Sequence, residues 1–105
     1  MEAVCKGVSD AEVSVVGILP DSDTTGINRY VQFSVGTSAG QGRNVIIANS
    51  VHGAIAIDGA YGTLSEIAHT LPEDKPVVTL GSLNIRGVNQ VKTPEEAVRT
   101  IMELV

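Results

Sequence analysis

The sequence predicts an α/β protein, a Rossmann-like open parallel sheet with flanking helices. Three observations predict it. Short β-branched apolar runs at 13–19, 53–57 and 76–80 alternate with stretches of helical periodicity, the pattern of parallel strands joined by right-handed crossovers. Aromatic residues are only 3% of the chain, so the core must be built from Val, Ile, Leu and Ala, the residues of buried parallel strands and the helices over them. Glycine is frequent, with 11 residues, and several stand where a strand ends.

Each element follows from local chemistry. Residues 1–7 read as the last turns of a helix closed by Gly7. No capping residue introduces that helix, so the chain is expected to begin inside an element. Residues 13–19 form a strand stopped by Pro20, and 21–41 form a long polar loop with a weak extended stretch near 30–35. A helix over 42–50 presents Val45, Ile46, Ile47 and Ala48, and 53–57 is a second strand. A third helix over 63–71 places Leu64, Ile67, Ala68 and Leu71 at i, i+3, i+4 and i+7. A third strand covers 76–80, and a turn containing Gly81 and Gly87 leads to a short run at 88–91. Thr93-Pro94-Glu95-Glu96 opens the last helix as a capping box with proline at the first position, and Ala97, Val98, Ile101 and Met102 are expected to form its buried stripe.

Composition narrows the functions. One domain fits 105 residues, and a chain of that size buries roughly 65% of its unfolded surface. A formal charge of −5 with scattered basic residues argues against a nucleic-acid interface, which needs a basic face. It leaves room for a small anionic ligand held by backbone N–H groups. The single cysteine, Cys5, excludes an internal disulfide, reads as a small packing residue and offers no metal-ligand spacing. No run approaches the ~20 apolar residues of a membrane span, so a cytoplasmic protein without a membrane partner is expected.

Ligands of open parallel sheets bind outside the carboxyl ends of the strands, where helix N-termini also point. The sharpest signal there is Asp58-Gly59-Ala60-Tyr61-Gly62-Thr63-Leu64-Ser65-Glu66. Gly59 and Gly62, with small Ala60 between them, let backbone N–H groups approach a phosphate, Thr63 adds a hydroxyl, and the helix dipole favours the anion. The same residues also suit a plain tight turn, with Thr63 and Glu66 as a capping box. Glu66 is thus either a capping acid or a functional one. Arg43 opens a helix against the dipole, which points to an external anion or to a solvated surface arginine. Asn44 beside it either donates to a sugar or caps the helix. Asp21 and Asp23 suit a ribose, a cation or ordinary turn chemistry. His52 and His69 lack ligand spacing and read as structural.

Arg43-Asn44, followed by a helix, a strand and Asp58–Glu66, resembles the Pro-Gly-Gly-x-Gly-Thr-x-x-Glu signature of the LOG superfamily. That superfamily includes cytokinin-activating nucleotide phosphoribohydrolases and molybdenum-cofactor carrier proteins. Val16-Gly17-Ile18-Leu19-Pro20, Tyr61-Gly62-Thr63-Leu64-Ser65-Glu66-Ile67 and Thr93-Pro94-Glu95-Glu96-Ala97 resemble the branch near the carriers. The resemblance implies phosphate binding by Gly59, Gly62 and Thr63, with Ala60, Tyr61 and Asn44 in the same nucleotide site. Arg43 and Glu66 match the pair with which enzymes of the superfamily cleave an N-glycosidic bond. It also implies a homodimer. Asp58 and Ala60 depart from the signature and weigh against catalysis. Superfamily members carry two further strands and a helix ahead of the region matched here, so the sheet is expected to lack its first two strands.

The expected function is binding of a nucleotide or nucleotide-derived cofactor, with a nucleoside monophosphate or molybdenum cofactor as ligand. The alternatives are a nucleoside 5'-monophosphate phosphoribohydrolase that releases a free base, and a remnant that binds nothing.

Overall fold

A computed structural model describes residues 1–105, which divide into two compact units, Met1–Arg43 and Asn44–Val105. All ladders are parallel, as the alternating pattern requires, but they form two sheets rather than one: β1 with β2, and β3-β4-β5.

In the first unit, α1 (Glu2–Asp10) precedes β1 (Val16–Leu19) and β2 (Phe33–Gly36). The helix runs through Gly7 rather than ending there. It stops where Glu12 takes a left-handed φ of 61°, and the Glu12 and Val13 N–H groups return to the Ser9 and Val8 carbonyls. Glu12 thereby does the terminating work that a glycine usually does. Cys5 is buried on the inner face of α1 and accepts a hydrogen bond from Asn28 Nδ2 at 3.7 Å.

The weak extended stretch of the long loop is a true strand. Val16 pairs with Phe33 and Leu19 with Gly36 in register. Side chains hold its ends: the Val15 N–H donates to Gln32 Oε1 at 2.6 Å, and Thr37 Oγ1 donates to the Leu19 carbonyl at 2.6 Å. Between the strands the Thr25 N–H donates to Asp23 Oδ1 at 2.9 Å, an Asx turn that gives Asp23 a local role. That hydrogen bond holds the Asp23 carboxyl below its ordinary pKa.

A 3-10 turn at Gly40–Gly42 leads into α2 (Arg43–Ser50), whose first residue closes the first unit. In the second unit β3 (Ala54–Ile57), α3 (Tyr61–Thr70), β4 (Val77–Leu80), β5 (Asn89–Val91) and α4 (Pro94–Leu104) follow. Ala54 pairs with Val77, Ile57 with Leu80, and Leu80 with Val91. The central strand β4 is buried on both faces: Val77 and Val78 are fully inaccessible and Thr79 nearly so. Lys75 donates to the Ala48 carbonyl in the last turn of α2 at 2.6 Å, where a cation complements the helix dipole.

The helix faces differ from those that periodicity predicts. On α4 only Ala97 is fully buried, while Val98 and Met102 are exposed. Gly53 lies so close to Ile101 and Val105 that an added Cβ would meet their side chains at 2.9 and 3.0 Å. The contact line of α4 is therefore 97, 101 and 105, which turns Val98 and Met102 outward. On α3, Ile67 and Thr70 are buried, while Leu64 and Ala68 are exposed. Thr70 can be buried because its hydroxyl donates to the Glu66 carbonyl at 2.7 Å. On α2, Ala48 and Asn44 are inward and Val45 and Ile46 outward.

The cap of α4 forms as its sequence dictates. The Glu96 N–H donates to Thr93 Oγ1 at 3.1 Å, while Glu96 Oε2 accepts from the Lys92 N–H at 3.0 Å, one residue upstream of the usual box partner. Thr93→Ala is expected to cost about 1 kcal/mol, read as a lower midpoint in urea unfolding at unchanged slope.

Candidate functional site

The carboxyl end of β3 builds the candidate site. The Asp58 N–H still pairs with the Leu80 carbonyl at 3.1 Å, so the chain leaves the sheet in register. It then turns sharply: Asp58 has φ 52°, Gly59 has φ 111°, and Ala60, at φ −134° and ψ −136°, is neither helical nor extended. Aspartate tolerates the left-handed region better than most residues, whereas the conformation at 59 belongs to glycine.

Ala60 is the N-cap of α3, which begins at Tyr61. The sequence expectation put the start at Thr63, and two consequences follow from the earlier start. First, Thr63 is the third helical residue, so Thr63 and Glu66 form no capping box. Second, the first intrahelical bond runs from the Leu64 N–H to the Ala60 carbonyl at 3.0 Å. The backbone N–H groups of Gly59, Ala60, Tyr61, Gly62 and Thr63 have no acceptor within the chain. They stand at the positive end of the helix dipole, an arrangement suited to an anion.

The two glycines of the turn have different reasons to be there. A Cβ on Gly59 would overlap Oγ1 and Cβ of Thr63 and meet its Cγ2 at 2.9 Å. Gly59 therefore serves the turn and the packing of Thr63. Around Gly62 there is nothing within 4 Å of an added Cβ, and its φ is not positive. Neither backbone nor packing within the chain demands a glycine at 62. Its absent side chain leaves the helix N-terminus bare.

Glu66 lies one turn beyond Gly62 on the same face of α3, and side chains on a helix lean toward its N-terminus. It is half-buried, and its carboxylate makes no hydrogen bond or ion pair within the chain. Gly59 through Thr63 and Glu66 thus belong to one turn and its helix. Asp58 is exposed beside them and adds a negative charge. Arg43 belongs to the first unit, where its Nη1 donates to the Ile18 carbonyl near the end of β1 at 3.2 Å. That bond gives its place at the helix start an internal explanation, while the other N–H groups of the fork find no acceptor in the chain. Asn44 is 1% exposed and shares the inner face of α2 with Ala48. His52 and His69 are exposed, and no three His, Cys, Asp or Glu side chains cluster. The contact between Thr63 and Gly59 was not foreseen from the sequence. A helix beginning at 61 carries residue 63 back over residue 59, so the signal lay in the helix start.

Parallel strands, crossover helices and a glycine turn at the carboxyl edge define a Rossmann-like α/β protein. The chain belongs to the SLOG cluster4 family, whose model matches residues 1–104 and so spans both units. An uncharacterized protein of Archaeoglobus fulgidus is 41% identical over 99 residues, which is 93% of this chain. The chain spans 65% of that relative's length. Two solved structures share the fold closely. The molybdenum cofactor binding protein from the phototrophic bacterium Rippkaea orientalis matches with TM-score 0.84 and 29% identity, over 98% of this chain and 69% of its own. The molybdenum cofactor carrier protein from Chlamydomonas reinhardtii matches with TM-score 0.82 and 28% identity, over 95% of this chain and 67% of its own. These likenesses place the chain in a branch of the LOG superfamily near the molybdenum-cofactor carriers. No helix is long and apolar enough to cross a membrane.

Proposed function

We propose that the chain binds a nucleotide or nucleotide-derived cofactor and holds its phosphate on the N–H groups of residues 59–63. The observation that carries this reading is the run of five N–H groups without acceptors, next to a Gly62 that internal packing does not require. A phosphate oxygen accepts from such groups without a basic residue, which suits a chain of net charge −5. The names of the two structural neighbours support a cofactor as ligand, and molybdenum cofactor, whose phosphate the turn would take, is a natural candidate. The protein would act in the cytoplasm as a homodimer.

A second reading rests on Glu66. Its carboxylate is free of capping and pairing, so it is available to a ribose hydroxyl or to the water that attacks C1′. In that reaction the C1′–N bond breaks, its electron pair leaves with the base, which gains a proton, and water completes ribose 5-phosphate. Arg43 is the partner residue that the superfamily pattern supplies.

Calorimetric titration with AMP, GMP and molybdopterin, paired with an assay for released base, tests both readings. Micromolar binding without base release is the expected outcome. Base release lost in Glu66→Gln, with unchanged melting, would favour the hydrolase. Absence of binding to all three compounds would sink the binding proposal.

A further inference from the structure

Tyr61 is the most exposed large apolar side chain of the molecule, at 88%, and it stands at the first position of α3 inside the run of unpaired N–H groups. Its ring makes no aromatic or cation–π contact and its hydroxyl no hydrogen bond within the chain. The other tyrosine behaves differently: Tyr30 accepts from Arg29 Nη2 at 2.7 Å and lies under its guanidinium at 4.9 Å. Tyrosine brings no advantage to a first helical turn, because aromatic residues lose side-chain freedom in helices. An aromatic ring left in water forgoes the burial that normally justifies it. On the same face of α3, Leu64 and Ala68 are also exposed and continue an apolar strip away from the turn. An anion on the N–H groups would therefore have an unengaged aromatic face beside it and a bare glycine on the following residue.

We propose that Tyr61 is a stacking platform for a planar heteroaromatic ring carried by the phosphorylated ligand, so that the turn selects ring-bearing phosphates over simple sugar phosphates. This rests on the phosphate-binding reading and adds the chemical class of the ligand's other end. Stacking of a base on an aromatic side chain is strong enough to change affinity on the order of 10- to 100-fold and tolerates different rings. Purines and pterins both qualify, because each presents a flat π-face.

The chain has no tryptophan and two tyrosines, so tyrosine emission reports the ring directly. AMP is expected to quench the emission of the wild type and to bind at least ~10-fold more tightly than ribose 5-phosphate. In Tyr61→Phe the quench should disappear while AMP affinity stays within about twofold, since a phenyl ring still stacks. In Tyr61→Ala, AMP affinity should fall by ~10-fold or more and ribose 5-phosphate affinity should not move. An unchanged ratio of the two affinities in Tyr61→Ala overturns the proposal while leaving the phosphate turn standing. Equal weakening of both ligands together with dissociation in sedimentation overturns it as well, and assigns Tyr61 to a contact between copies of the chain. A wild type that binds neither compound removes both this inference and the reading beneath it. The side chain is almost wholly exposed, so neither variant should fail to fold.

Discussion

Gly59→Ala is expected to destabilise the protein by about 3–5 kcal/mol, the largest effect of any glycine substitution in the turn. Two penalties combine. A residue with a Cβ is strained at φ 111°, at a cost of about 1–3 kcal/mol. The new methyl would also collide with Thr63, whose Cβ and Oγ1 cannot swing clear without moving the first turn of α3. A double-mutant cycle with Thr63→Ala separates the terms. The second substitution should recover roughly 1–2 kcal/mol, the steric share, and leave the backbone strain in place. Urea unfolding of the four proteins measures it. Equal stability of Gly59→Ala and wild type would mean that the turn is not built as described.

Gly62→Ala should behave in the opposite way. It has room for a Cβ, and alanine is the better helix former, so stability should rise by ~0.5–1 kcal/mol. Phosphate-dependent binding of AMP should nonetheless fall by roughly 10- to 100-fold. The new methyl leans toward the helix N-terminus, where an anion needs its oxygens ~3 Å from the N–H groups. Gain in melting temperature with loss of affinity is a combination that a merely structural glycine does not produce. Unchanged affinity would show that Gly62 is tolerated rather than used.

How much of this was legible in the sequence is clearest at one repeated pattern. Thr-x-x-Glu occurs at 63–66 and at 93–96. Only the second is a cap, because Thr93 is still extended at φ −131° when the helix begins, whereas residue 63 is already helical. Letters at the right spacing could not distinguish these cases. The distinction lies in the backbone just upstream, where Asp58 and Gly59 reverse the chain early enough for Ala60 to cap. The termination of α1 shows the same limit: Gly7 has the residue type for a stop, but Glu12 has the geometry.

The strands and their parallel pairing were readable because β-branched runs bounded by Pro and Gly leave few alternatives. Their separation into two ladders was not. Periodicity marks which helix positions are apolar, but the covering partner decides which of them are buried. Val98 and Met102 are therefore correct as apolar residues and wrong as core, and Leu64 and Ala68 keep their helical spacing while lying exposed. The strand-to-helix turn of the 58–66 segment was readable because a reversal that sharp depends on small residues next to a helix start. The anchoring of Arg43 on the Ile18 carbonyl was not, since that bond joins residues far apart in sequence.

The unpaired N–H groups of the turn also have a thermodynamic consequence away from binding assays. In the unfolded chain these groups are scattered and hold no anion in common, so an occupant stabilises the folded form alone. An occupant at 100 times its dissociation constant would add about 2.7 kcal/mol to the unfolding free energy, a sizeable share of what a small domain possesses. The folded population, and with it resistance to proteolysis, would then track supply of the ligand. The turn would act as a gauge of its own cargo, with the amount of surviving protein as the reading.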